Sequence, residues 1–250
     1  MRIEFPSRVS ALRQLWQTVF GDDDAFLDAF FSLAWEPEHS LCAVEGDALA
    51  GMLYWLEGSC RGQKIAYVYA VATAPAFRGQ GVCRRMLQEA QRCMTDQGFA
   101  GAVLVPASPQ LRQMYEKLGW ETWTRAAQLE CRGTDMGLSL EPVSPEVYAS
   151  LRRKMLPEGG VLLEERSLAF LASQEKLFAG PGILLAAHWD AGRLIAAELL
   201  GDPQLAPGIT AALGADSGCF RLPGQGEPFA MGKKLTSGCP DITWFALAFD

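Results

Sequence analysis

A chain of 250 residues with 49% apolar side chains has ample material for buried cores and is longer than one small domain needs. A formal net charge of −7 and the absence of any basic run speak against a nucleic-acid surface. Two histidines exclude a histidine-rich metal site and leave almost nothing for a Ser-His-Asp triad, while seven scattered cysteines with no Cys-x-x-Cys pair indicate reduced thiols, no structural zinc and a cytoplasmic setting.

The chain opens on Met1-Arg2-Ile3-Glu4 with no apolar core behind the charge, so no signal peptide is expected. No stretch has the length of a transmembrane helix. Residues 7–20 are expected to be helical, with Val9, Leu12, Leu15, Trp16 and Val19 on one broad face. Gly21 breaks the run. Asp22-Asp23-Asp24 then opens a second helix reaching about Trp35, where the acidic residues suit the positive helix end better than a metal. A meander follows, with strands at Leu41–Glu45 and Leu49–Leu56 and turns at Gly46-Asp47 and within Gly58–Gly62.

Ile65 to Thr73 is an almost unbroken apolar run, the signal of a central strand. Pro75 cannot donate to a ladder and ends it. Arg78-Gly79-Gln80-Gly81 turns the chain, and from Val82 a helix carries Val82, Met86, Ala90 and Cys93 on one face and Arg84, Arg85, Glu89 and Arg92 on the other. A strand feeding a glycine turn that opens a helix is physically an anion site. The first helical turn has unpaired N–H groups at the positive dipole end, and glycines allow close approach. Arg78 and Arg84 add charge. The turn is neither Gly-x-x-x-x-Gly-Lys-Ser/Thr nor Gly-x-Gly-x-x-Gly, so a nucleotide P-loop and a Rossmann dinucleotide site are both unlike it.

Phe99–Val105 follows as a short buried strand. Ser108 caps and Pro109 begins a helix that gathers Leu111, Met114, Tyr115 and Leu118 on one face and stops at Gly119. Trp120–Cys131 reads as the last strand of this half. After residue 133 the composition shifts to a Gly/Ser/Pro linker. Helices are then expected at 145–155 and about 164–178, and a hairpin from Ile183–Trp189 and Leu194–Leu200 around Ala191-Gly192-Arg193. A short helix at 207–213 and closing strands at 229–235 and 242–249 complete the chain. Gly224-Gln225-Gly226 echoes the earlier turn weakly and reads as a loop. The expected divisions are 1–133, a linker at 134–145, and 146–250.

Arg78 to Cys83 resembles the Arg/Gln-x-x-Gly-x-Gly/Ala signature of the GNAT (Gcn5-related) N-acetyltransferases, and Met114 to Trp120 resembles that family's Tyr-x-x-x-Gly-Phe element. The resemblance covers roughly the first half and implies an α+β, mixed-sheet GNAT acyl-CoA N-acyltransferase fold there. Because two helices followed by strands return after residue 145, it also implies two tandem GNAT-like units. The second would be degenerate, with neither the turn nor the tyrosine element. The implied cosubstrate is acetyl-CoA, its pyrophosphate on Arg78, Gly79, Gln80, Gly81, Val82, Cys83 and Arg84 and its pantetheine arm along Val71-Ala72-Thr73. Cys83 departs from the family's Gly or Ala.

Tyr115 is the implied general acid for the departing thiolate, a free N–H near Val71 the implied oxyanion donor, and Phe26, Phe30 and Trp35 border the implied acceptor pocket. The acceptor is a primary amine of a small molecule or peptide. No metal, nucleic acid or membrane is implied, and the oligomeric state stays open. The general base is Glu57, the terminal carboxylate of Asp250 (as in some tandem aminoglycoside acetyltransferases) or water. A thiol in a helix's first turn often has a lowered pKa, so Cys83 offers a separate acyl-enzyme route. The rivals are a CoA-binding or sensory module without catalysis, and a transferase of another acyl group.

Overall fold

The structure, a computed structural model, describes residues 1–163 and 165–248. The chain divides into two compact units: Met1–Glu121 with Met231–Pro240, and Thr122–Ala230 with the segment from Asp241 onward. The boundary expected at 133 thus falls twelve residues earlier, and ten late residues return to the first unit.

The first unit begins with β1 (Arg2–Glu4), α1 (Val9–Phe20) and α2 (Asp24–Ala29). Its strands β2 (Ser40–Glu45), β3 (Ala48–Cys60) and β4 (Gln63–Thr73) form an antiparallel meander. Then come α3 (Val82–Asp96), β5 (Gly101–Leu104) and α4 (Pro109–Lys117). The aspartates do cap: the Asp23 carboxylate accepts from Phe26 N at 2.8 Å, and Asp24 and Asp28 hold Arg13 at 2.9 and 2.7 Å. The second helix does not run through as α-helix. Phe30–Ala34 forms a π-turn closed by Trp35 N donating to Phe30 O at 3.0 Å. The apolar spacing of α3 works as expected, with Val82, Met86, Leu87, Ala90, Cys93 and Met94 buried against the sheet. Gly51 lets that helix sit close, since a Cβ there would lie 2.8 Å from both Ala72 O and Met86 Cε. In α4 the Ser108 hydroxyl accepts from Leu111 N at 3.2 Å, while Leu111 itself, expected on the buried face, is 38% exposed.

The second unit holds β6 (Arg125–Arg132), α5 (Pro145–Met155), α6 (Glu165–Gln174), β7 (Lys176–Gly180), β8 (Ile183–Asp190), β9 (Arg193–Leu200), α7 (Ala206–Ala212) and β10 (Ser217–Pro223). The last strand among the described residues is β11 (Met231–Lys234). The hairpin of β8 and β9 and the short helix α7 lie where the sequence indicated. The helix expected through 178 ends at Gln174, because Leu177 and Phe178 bury better in a strand, and the proposed start at Glu164 lies outside the described residues. Residues 242–248 form no ladder. The one bridge there joins Gly160 and Trp244, and Phe249 lies outside the described residues. A buried cluster fixes this segment instead. Arg152 donates to both Glu198 oxygens at 2.7 and 3.0 Å, and Trp244 Nε1 donates to Glu198 at 2.8 Å. The charge pair is fully enclosed and fully hydrogen-bonded, the condition under which burial of ions is tolerated.

Strand pairing supplies the main correction. The first sheet runs β1-β2-β3-β4-β5-β11, then Glu121–Thr122, with β4 parallel to β5 and β11 antiparallel to it. The second runs from Glu227–Pro228 through β6-β10-β9-β8-β7 to Glu141–Pro142, with β9 parallel to β10 and β6 antiparallel to it. Thus the strand expected at Trp120–Cys131 is split: Glu121–Thr122 ends the first sheet, β6 joins the second, and β11 from the far end of the chain lies beside β5. Both strands are short and half-buried, so their local sequence suits either sheet. The order edge strand, two helices, three-strand meander, helix, parallel strand occurs in both units.

Candidate active site

In the first sheet, β4 pairs with β5 only at Ile65, Ala66 and Tyr67. Beyond Tyr67 that pairing stops, as β5 ends at Leu104, and this edge of β4 up to Thr73 pairs with no strand among the described residues, leaving a wedge-shaped opening in the ladder. On its other edge β4 carries a bulge. Met52 pairs with Ala72 and Tyr54 with Tyr69, so Ala70 and Val71 together face Leu53. Ala70 reaches φ +47°, a left-handed conformation costly for a non-glycine residue. Bulges re-aim backbone groups and are common beside active sites. Here Tyr69, Ala70, Val71 and Thr73 are half-exposed, whereas Ala72 is buried.

The chain leaves the wedge through a 3₁₀ turn at Pro75–Phe77 and enters the glycine turn. Gly79 and Gly81 adopt φ +74° and +76°, and Gly81 is the residue before the first turn of α3. Alternating left-handed residues turn successive N–H groups toward one side, a backbone nest for anions. The first N–H groups of α3 have no intrahelical acceptor. The guanidinium of Arg84 folds back over the turn, and a Cβ at Gly81 would lie 3.3 Å from its Nη2. The Arg78 guanidinium donates to Thr73 O at 3.4 Å and the Gln80 amide to Ala76 O at 3.1 Å, which tie the loop to the strand end. Residues 71–73 and 78–84 therefore form one continuous path from wedge to helix. The cradle fits a diphosphate: two left-handed glycines, a helix N-terminus and two exposed arginines.

Tyr115 is buried on α4, 6.2 Å edge-on from Trp120, in the core cluster that also packs Cys83. Burial raises its pKa well above the ordinary tyrosine value, and the nearby Cys83 raises it further. The phenol thus stands by the first turn of α3. Burial also pushes the Cys83 thiol up to about 11. That is opposite to the lowering an attacking thiolate requires, so the acyl-enzyme route through Cys83 lacks its nucleophile.

The structure removes Glu57 from the site. It is exposed, pairs with Lys64 at 3.1 Å and lies opposite Ala66, near Trp55, whose indole donates to Gln97 just past α3. That is the far end of a helix about 22 Å long. The terminal carboxylate of Asp250 lies outside the described residues. No group of three or more His, Cys, Asp or Glu among the described residues is arranged for a metal.

The sheet face toward α1 and α2 is aromatic. Phe30 packs 4.7 Å from Trp16 and 5.1 Å from Tyr54, and Tyr69 lies 5.7 Å from Trp16. Phe30 is wholly core, while Phe26 and Trp35 keep some exposure. Sequence reasoning missed Tyr69 as the aromatic that links this cluster to the wedge. It also missed Lys233 of β11, whose Nζ donates to Leu118 O at 2.8 Å and holds the end of the Tyr115 helix. The glycine inside the β3 apolar run was the one available signal for the close packing at Gly51.

Residues 5–123 match the family model described as an acetyltransferase (GNAT) domain. The fold is the GNAT fold, and its solved neighbours span nearly the whole chain. A GCN5-related N-acetyltransferase from Kribbella flavida is 16% identical, with a TM-score of 0.71 over 93% of this chain and 70% of its own. A conserved protein of unknown function from Enterococcus faecalis, described as a probable N-acyltransferase, is 16% identical with a TM-score of 0.73, covering 94% and 72%. A GCN5-related N-acetyltransferase from Anabaena variabilis is 18% identical with a TM-score of 0.69, covering 94% and 73%. At these identities the likeness is one of fold. No curated protein matches the chain.

Proposed function

We propose that the protein is an acetyltransferase that moves the acetyl group of acetyl-CoA directly to a primary amine of a small molecule or peptide. The observation that carries this reading is the continuous path from the bulged, unpaired edge of β4 to the glycine turn, with Tyr115 beside the turn. Backbone N–H groups at 79–84, with Arg78 and Arg84, bind the diphosphate. The free edge at Val71, Ala72 and Thr73 holds the pantetheine arm by strand-like hydrogen bonds. The Val71 N–H, re-aimed by the bulge, stabilises the oxyanion of the tetrahedral intermediate. The neutral amine attacks the thioester carbon, the C–S bond breaks, and the thiolate takes a proton from Tyr115. The raised pKa keeps that proton in place at neutral pH. Water, rather than Glu57, relays the amine's proton.

In this reading the second unit is a degenerate repeat. Where the first has its glycine turn, the second has Gly201-Asp202-Pro203-Gln204, and the Asp202 carboxylate accepts from Gln204 N at 2.9 Å. A carboxylate already occupies the cap and repels phosphate. Seven cysteines outside any disulfide suit a reducing, cytoplasmic compartment, and no helix among the described residues is long and apolar enough to cross a membrane.

Calorimetric titration with acetyl-CoA tests the cosubstrate. Saturable binding is expected, and Gly81→Glu abolishes it by placing a side chain and negative charge in the cradle. Lack of binding by the wild type would overturn the reading. A thiol-release assay across amines then separates an enzyme from a binding module, since binding without release favours the latter.

A further inference from the structure

We propose that the second unit holds a binding site of its own, for a small molecule bearing a primary ammonium group, in the cavity beside His188. The cavity measures about 510 Å³ and lies wholly within that unit, against Gln128, Glu175, His188, Ile195, Cys219 and Arg221. It occupies the sheet face opposite α7. Leu194, Ala196 and Phe220 pack with α7, and strand alternation turns Ile195, Cys219 and Arg221 the other way. The first unit fills the corresponding face with Trp16, Phe30 and Tyr54. Here Ala126, Ala127 and Ala197 line it and leave space.

The site reproduces the wedge without the phosphate cradle. Parallel pairing of β9 with β10 ends at Ala196 and Phe220. A bulge follows at once, because Ala187 pairs with Ala196 and Ala186 with Glu198, leaving Ala197 as the extra residue on the cavity wall. With Asp202 capping the turn before α7, the diphosphate of a CoA ester has no seat. The occupant is therefore smaller than a nucleotide.

The polar groups define its charge. His188 Nδ1 lies 2.9 Å from Glu175 Oε1. A carboxylate can only accept, so Nδ1 donates to Glu175, and in that tautomer Nε2 is the acceptor. The His188 side chain is 44% exposed and Glu175 11%, so the carboxylate is sheltered and the imidazole is accessible. Glu227 adds a second carboxylate. Arg221 is the one guanidinium on the wall. It is spent on Ala246 O at 2.9 Å and on the ring of Phe229, 4.4 Å from its centroid. Two carboxylates and an imidazole acceptor against one engaged cation favour a donor-rich, positively charged ligand with a short apolar body for Ile195 and the alanines.

The protein's two histidines make the test direct. The proton NMR signals of His39 and His188 in the full-length wild type are assigned with His188→Gln and followed during titration with n-butylammonium, then n-butanol, then butyrate. The expected result is a saturable shift of the His188 signal with n-butylammonium alone, with His39 unmoved. Glu175→Gln should weaken that binding about tenfold or more, the worth of a hydrogen bond to a charged group. Ala197→Leu, which adds volume and no charge, should abolish it. A His188 signal unmoved by n-butylammonium overturns the proposal, as does an equal response to butyrate. The readout needs no acetyl-CoA, so its failure and that of the acetyltransferase reading are distinguishable.

Discussion

The two units share one strand order and differ at one turn. In the first, Gly79 and Gly81 in left-handed conformations leave backbone N–H groups facing outward before a fifteen-residue helix. In the second, Asp202 satisfies the turn with its own carboxylate before a seven-residue helix. The topology supplies a wedge in both. Whether that wedge accepts a phosphate ester depends on whether its turn leaves its donors free. A glycine turn keeps the anion site open for an external charge, while an acidic cap closes it with an internal one.

The comparison breaks most completely if a unit is cut at the boundary its sequence suggests. A protein of residues 1–133 lacks β11, whose Met231 is fully buried in the first core. Circular dichroism and NMR should show no cooperatively folded product. Tyr115→Phe should lower kcat by about 10²- to 10⁴-fold, the range for a lost general acid, while leaving acetyl-CoA affinity intact. The wild-type pH profile sharpens this. The functional form of Tyr115 is the protonated one, and its pKa is raised. kcat should therefore not fall as pH passes through about 10, where an ordinary tyrosine loses its proton. A basic limb at the ordinary value would remove Tyr115 from the role.

Gly51→Ala should destabilise the first unit by about 1–3 kcal/mol, because the added methyl meets backbone at Ala72 O and one neighbour must move. Thermal unfolding reads that loss. The smallest effect belongs to Asp202→Ala, about 1 kcal/mol for a lost cap. It should confer no acetyl-CoA binding on the second unit, since removing the acid does not create the left-handed turn. A second equivalent of bound acetyl-CoA in that variant would mean that charge alone separates the two turns.

Much of the first unit was legible because its signals are local. Arg78 to Gly81, the face of α3, the Ser108-Pro109 start and the Gly119 stop each need only a few neighbouring residues. The exchanged strands were not legible, because Arg125–Arg132 and Met231–Lys234 carry no mark of which sheet they join. Their partners lie about a hundred residues away. Nor does anything in an alanine announce φ +47° at Ala70; the bulge comes from register against β3. Residues 242–248 look like a strand by composition, yet Trp244 is held by Glu198 instead of by a ladder. At the site, the tyrosine and the glycine turn were visible. Glu57 was misplaced because strand length, and hence its distance from the turn, was underestimated: β3 runs to Cys60 rather than Leu56.

The late arrival of β11 has a consequence for how the protein is made. A nascent chain exposes β5 long before Met231 emerges from the ribosome. At about 5–20 residues per second the first sheet waits on the order of ten seconds for its closing strand. During that interval the edge of β5 is an unpaired template, open to any exposed strand. Vectorial synthesis therefore leaves the first sheet without its strand beside β5 until residues 122–230 of the second unit have been made.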